Sequence, residues 1–391
     1  MSDGRRRPGP LSGVKVIELA GIGPCPFAAM VLADLGADVL RVERAEAVGD
    51  APPPGVRWDV LQRSKRSVGV DLKTEDGVSL VLELADGADV LLEGFRPGVT
   101  ERLGLGPEEC LRRNPRLVYG RMTGWGQTGP LADRVGHDID YIALAGVLGA
   151  LGRAGEAPVP PCNLVGDFGG GGMLLALGVA TALFEVARGG AGQVVDAAMV
   201  DGAALLFSMM WSFRALGVWS DERRTNLLDT GAPFYEVYEC ADGRHVAVGA
   251  LEPQFHAALV RVMGLSPDEL PPQMARAEWP AAKERYREVF RSRTRDEWVA
   301  LAEAEGGDAC LAPVLSMGEA AEHPHHLARR SFLEVDGVVQ PAPAPRFSVT
   351  GSADPEPPCW PGEGGLEALS QWGLAAGRVE AALASGVLRA R

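Results

Sequence analysis

The stretch "GVKVIELAGIGPCPFAAMVLADLGADVLRVER", residues 13–44, constrains the fold most. Val14, Val16, Ile17 and Leu19 read as a strand, an Ala/Met/Leu helix ends near Gly36, and Val39, Leu40 and Val42 read as a second strand. That is a parallel βαβ unit. A second unit lies in "GVSLVLELADGADVLLEGF", with a helix closed at Asp86-Gly87 and a strand from Asp89 to Leu92. "RLVYGRMTGWG" carries a third strand. Such repetition implies an open α/β sheet covered by helices on both faces.

At 391 residues the chain is too long for one ordinary core, which points to two domains. "GQVVDAAMVDGAALLFSMMWSFRAL" reads as a short strand and a helix, and residues 216–230 turn polar and irregular, as expected at a boundary. Beyond it, "YEVYECADGRHVAVGALEPQFHAALVRVMGL" reads as two strands around an Asp242-Gly243 hairpin, then a helix. Helices continue to about residue 320. The Pro-rich stretch 340–365 is expected to be extended chain before a last helix near 366–383. The predicted division is a large domain of 1–197 with 328–391, a linker helix at 198–225, and a small α+β domain at 226–327.

The six cysteines, Cys25, Cys110, Cys162, Cys240, Cys310 and Cys359, have no close pair, which argues against a zinc site or a disulfide framework and for a reducing, cytoplasmic setting. A net charge of -14 opposes nucleic acid or an anionic membrane as partner. No apolar run of about 18 residues is expected, nor an apolar segment behind the N-terminal arginines, so neither a membrane span nor a signal peptide is predicted. Arg5, Arg6 and Arg7 read as a solvated tail.

The turn Gly21-Ile22-Gly23-Pro24-Cys25-Pro26 lacks the third glycine of a dinucleotide fingerprint, and its prolines remove donors that a pyrophosphate would use. NAD and FAD are therefore not expected. Arg41, Arg44, Arg63, Lys65, Arg66, Lys73, Arg96 and Arg102 follow predicted strand ends, where phosphate-bearing ligands bind; structural ion pairs use the same residue types. His137 precedes an apolar helical segment; one reading is a packed or capping residue, the other a proton carrier oriented by a carboxylate, since the unperturbed pKa of histidine, about 6.5, lies nearest neutrality among side chains. His323, His325 and His326 lack the companion ligands of a metal site, and no metal is predicted.

Asp167 stands before Gly169-Gly170-Gly171-Gly172. One reading is a helix N-cap; the other is an acid beside glycine amides, those of Gly169 and Gly170 among them, that stabilise an oxyanion. Glu252, before Pro253, likewise reads as a helix start.

Together, "VIELAGIGPCPFAAMVLADLGADVLRVER", "GFRPGVTERLGLG", "RMTGWGQTGP", "GHDIDYIALAGVLGALGR", "NLVGDFGGGG", "GQVVDAAMVDG" and "VAVGALEPQF" resemble the family III CoA-transferase superfamily, most closely its α-methylacyl-CoA racemase branch. The resemblance spans about Leu11 to His326. It implies a Rossmann-like large domain and an interlocked homodimer. It assigns proton transfer to His137, Asp167 and Glu252, and contact with CoA to Arg44, Arg63, Lys73, Arg96, Arg102 and backbone near Val70. Tyr141 falls near the thioester. The implied reaction interconverts 2-methylacyl-CoA epimers without a separate cofactor; the rival is CoA transfer through an aspartyl-acyl anhydride on Asp167. Cys25 and Thr230, the latter where glycine is usual, depart from the family pattern.

Overall fold

The computed structural model describes residues 7–49, 51 and 55–391, so Arg5 and Arg6 lie outside the described residues. The chain divides into two compact units, Met1–Ala145 with Cys162–Leu206 and His325–Arg391, and Gly146–Pro161 with Phe207–Pro324. The segment 146–161 thus belongs to the second unit, and the stretch read as one linker helix is shared between the two.

The first unit runs β1 (Lys15–Leu19), α1 (Pro24–Asp34), β2 (Asp38–Arg44), β3 (Arg66–Val70), α2 (Glu75–Asp86), β4 (Val90–Glu93), α3 (Val99–Arg102), α4 (Pro107–Arg113), β5 (Val118–Thr123) and α5 (Asp138–Leu144). A π-wound segment, Leu164–Met173, then continues into α6 (Leu174–Ala187), followed by β6 (Val194–Ala198) and α7 (Met199–Leu206). Six parallel strands lie in the order β3-β2-β1-β4-β5-β6, and Leu388–Arg389 adds an antiparallel edge beside β3. The predicted α/β sheet is therefore present, and its strand order reverses between β1 and β4.

Alternation along the strands feeds two cores. Val16, Val39, Val90 and Val118 face α1 and α6, while Ile17, Leu19, Leu40 and Leu91 face α2 and the C-terminal helices. Burial on both faces is why these strands read as nearly continuous apolar runs. Local chemistry sets the helix starts: Thr74 Oγ1 accepts from Gly77 N at 3.0 Å at the start of α2, and Pro24 occupies the first turn of α1.

The second unit holds an antiparallel sheet of β7 (Tyr235–Glu239), β8 (His245–Gly249) and β9 (Leu311–Pro313), with α8 (Ser208–Ala215), α9 (Pro253–Val262), α10 (Trp279–Phe290) and α11 (Arg295–Ala304). The hairpin turns at Asp242-Gly243, where Gly243 has φ 74°. Tyr238 stacks on Phe290 at 4.9 Å, and Trp298 donates from Nε1 to Phe290 O at 2.8 Å, filling the core with satisfied aromatics.

Two sequence expectations need correction. Arg7 is no solvated tail residue: it is buried and donates to Asp354 O at 3.3 Å. An apolar run of sufficient length does exist, because the helix Leu164–Ala187 has mean hydropathy 1.6 over its most apolar window. Asp167 and Glu185 are its only charges, and leucine, valine and phenylalanine supply most of its apolarity.

The glycine run is explained by packing. A Cβ on Gly202 of α7 would lie 1.8 Å from Gly170 O, one on Gly170 2.6 Å from Ala203 N, and one on Gly172 2.6 Å from Pro24 O. The helix carrying Asp167 touches α1 and α7 backbone to backbone. Gly170→Ala and Gly202→Ala are each expected to cost about 1–3 kcal/mol in denaturant unfolding through overpacking. Gly377→Ala, whose Cβ meets nothing within 4 Å, is expected to be neutral or to stabilise its helix by up to about 1 kcal/mol.

Candidate active site

Open parallel sheets bind ligands beyond the carboxyl ends of their strands, where strand order reverses. A cavity of about 360 Å³ lies there in the first unit. Gly23 and Cys25 after β1, Phe95 and Arg96 after β4, and Trp125 after β5 form part of its wall. His137, Tyr141 and Asp167 complete it, so the residues proposed to face one another open onto a common space.

Asp167 sits inside the π-wound segment rather than at its cap, which is Asn163. One turn earlier along the chain, Asn163 donates from Nδ2 to Asp167 Oδ2 at 3.0 Å. Asp167 N donates to Asp138 Oδ1 at 2.7 Å. Partial burial pushes the Asp167 carboxyl above its ordinary range; the Asn163 hydrogen bond opposes this, the Asp138 charge adds to it, and His137 opposes it. The result is a carboxyl with raised proton affinity, fixed at one oxygen. The π winding, a rare geometry often found at functional sites, carries this side chain.

His137 caps the start of α5 through its backbone, its N–H donating to Asp140 Oδ2 at 2.9 Å, and its residue surface is exposed. Tyr141, one turn into α5, meets Trp125 edge to face with ring centres 4.7 Å apart. Gly124 admits that ring: a Cβ there would lie 2.1 Å from Tyr141. Burial first, then the Asp167 and Asp140 charges, push the Tyr141 phenol up to about 12.

Glu252 belongs to the second unit and takes the N-cap position of α9, but its side chain makes no capping bond. Its exposed carboxylate makes no hydrogen bond or ion pair among the described residues.

The Gly169 and Gly170 amides do not form the expected oxyanion hole. They lie inside the π-wound segment, where N–H groups bond to carbonyls five residues back, as Phe168 N does to Asn163 O at 3.3 Å. In the first turn of α1, Pro24 and Pro26 have no N–H and Phe27 N bonds Gly23 O at 3.2 Å. That leaves the Cys25 amide without an intrahelical acceptor, on a residue that lines the cavity.

The basic residues divide sharply. Arg63 is buried, donating to both oxygens of Asp34 at 3.1 and 2.5 Å, and to Gln340 Oε1 and Pro341 O. It is an interior tie, which corrects its assignment to CoA. Lys65 holds the fully buried Glu18 of β1 at 2.7 Å, Arg66 holds Asp38 at 2.5 Å, and Arg41 holds Glu43 at 3.0 Å. Arg44, Lys73, Arg96 and Arg102 are exposed and make no ion pair among the described residues. Arg44 pairs in register with Val70, the last residue of β3 and itself buried. Lys73 and Arg102 face one cavity of about 370 Å³, and Arg96 lines the cavity of Asp167. Among the described residues no group of three or more His, Cys, Asp or Glu side chains could hold a metal ion, and the six cysteines are free thiols.

Asn163 and Asp138 escaped the sequence reading. Their signals were present: an amide four residues before the acid, and a carboxylate next to the histidine.

The CoA-transferase family III model matches residues 11–362, and the chain belongs to that family. It is 47% identical over 369 residues to the alpha-methylacyl-CoA racemase of Mus musculus, covering 93% of each chain. It is 48% identical over 338 residues to the alpha-methylacyl-CoA racemase of Homo sapiens, covering 86% of each. The crystal structure of a CAIB/BAIF family protein from Brucella suis superposes with a TM-score of 0.80 at 25% identity, covering 94% of this chain and 100% of that one.

Breaking a buried ion pair at one partner is costly, whereas removing an unpaired surface cation is not. Arg63→Met is expected to lower unfolding free energy by about 3–5 kcal/mol, with the buried Asp34 left without its two guanidinium hydrogen bonds. Arg102→Met is expected to change it by less than about 0.5 kcal/mol, measured in the same denaturant titration.

Proposed function

We infer that the chain is an α-methylacyl-CoA racemase, inverting C2 of a 2-methylacyl-CoA by 1,1-proton transfer. The observation that carries this reading is the opening of Asp167 and His137 onto one cavity at the strand-order reversal. The alpha-methylacyl-CoA racemases of mouse and human, at 47% and 48% identity, support it.

Racemisation needs a base on one face of the carbon and an acid on the other, since a single group returns the proton to the face it came from. Asn163 engages Asp167 Oδ2, which leaves Oδ1 to take or give the α-proton. The raised proton affinity of Asp167 brings it closer to that of a working base at neutral pH. His137 serves the opposite face, and Glu252 is assigned to orient it, as the resemblance implies. Loss of the α-proton places charge on the thioester oxygen, and the Cys25 amide at the start of α1 is the donor that this wall of the cavity offers. Proton transfer of this kind requires no redox step.

The CoA portion is assigned to Arg44, Lys73, Arg96 and Arg102, whose charges are not spent on carboxylates, with backbone near Val70. A homodimer is part of the same reading. Leu164, Met173, Leu177 and Phe184 leave an exposed apolar face on the helix Leu164–Ala187, which a second copy would cover. The reading also places the protein in the cytoplasm, where six thiols stay reduced.

The second reading, CoA transfer, is favoured by the same free oxygen of Asp167, which would attack the thioester carbonyl, break its C–S bond with loss of the CoA thiolate, and form an aspartyl-acyl anhydride. One experiment separates the two: a single epimer of a 2-methylacyl-CoA is incubated in deuterated water with an added carboxylic acid. Racemisation predicts deuterium at C2 together with both epimers. CoA on the added acid, with C2 unlabelled, supports transfer instead.

A further inference from the structure

The second unit contains a cavity that the proposed reaction does not use. It measures about 510 Å³, and its wall carries Arg224, Arg276, Lys283 and Arg287 against a single carboxylate, Glu284. Beneath it lies Glu236, buried, 2.8 Å from Arg224 Nη2 and 3.5 Å from Lys283 Nζ. Four cations thus meet three carboxylates, Glu236, Glu284, which pairs with Arg287, and Asp229 of the adjoining turn, in a chain whose net charge is -14.

The cluster is held by dedicated structure. Lys283 is buried and donates to Thr230 O, and burial pushes its ammonium down to about 8. Arg224 and Thr230 both adopt left-handed backbone, φ 68° and 67°, which side-chain-bearing residues rarely do and which tends to mark functional sites. The turn between them is pinned by Asp229, which accepts from Arg224 N at 2.8 Å, Asn226 N at 2.9 Å and Gly231 N at 3.1 Å. The Arg224 guanidinium retains a buried Nε without an acceptor. Arg276 is exposed, lies over the Trp279 ring at 5.5 Å and donates to Val218 O with one nitrogen, which leaves its other donors unused.

We propose that this cavity is a binding site for a small phosphate-class anion, held by Arg224, Arg276, Lys283 and Arg287. The cations outnumber the carboxylates, so an anion completes the local balance. Guanidinium forks match tetrahedral oxyanions, and the partly desolvated setting strengthens each contact. The proposed ligand takes no part in proton transfer at Asp167, so either assignment can fail without the other.

The test is isothermal titration of inorganic phosphate into the full chain at constant ionic strength, with unfolding midpoints confirming that each variant is folded. A saturable site is expected in addition to any phosphate bound by the cations assigned to CoA. Arg276→Gln and Arg287→Gln should each weaken it about tenfold, the loss typical of one charge-assisted hydrogen bond, and Arg102→Gln should leave it intact. The proposal is overturned if binding is not saturable, or if it responds to Arg102→Gln but not to Arg276→Gln. Tighter binding of malonate than of phosphate would overturn the phosphate class.

Discussion

The contact between Gly170 and Gly202 is the constraint on which the site rests. Two helices meet backbone to backbone there, and any side chain at either position would drive them apart. The same helix meets α1 at Gly172 and Pro24. Asp167 is therefore fixed from two sides by groups that have no rotamers to lose. That rigidity suits the proton-transfer role proposed for Asp167, since such a rate depends on holding one geometry to within about half an ångström.

Charge organises the rest of the first unit. A parallel sheet must satisfy any polar group that it buries, and Glu18 in the middle of β1 is met by Lys65 and, at longer range, by Arg41. Arg63 and Arg66 perform the same service for Asp34 and Asp38. Only cations placed beyond the strand ends, with no carboxylate to answer, remain available to a ligand. The sequence puts both kinds into one short stretch, and solvent exposure divides them.

That stretch shows where reading from residues reaches its limit. The βαβ pattern, the Asp86-Gly87 helix end and the Asp242-Gly243 hairpin were legible because each is a local preference of backbone and side chain. That His137 and Asp167 share one cavity was legible from residue type and family resemblance. Arg63 was not, since its partners Asp34 and Gln340 are distant in sequence. The glycine run misled for a related reason: its value lies in what packs against it, α1 and α7, and the chain order does not display that. The edge strand Leu388–Arg389 is too short to announce itself and is set by pairing with β3.

The account centres on two opposed groups serving one carbon, and crippling each group separately tests it most directly. His137→Ala and Asp167→Asn are each given either epimer of a 2-methylacyl-CoA in deuterated water, and C2 exchange is followed by NMR. Two opposed bases predict that each variant exchanges the proton of only one epimer, a different one for each variant, without inverting it. If both variants exchange the same epimer, or either still interconverts the two at the native rate, then one group does the chemistry alone and the account is wrong.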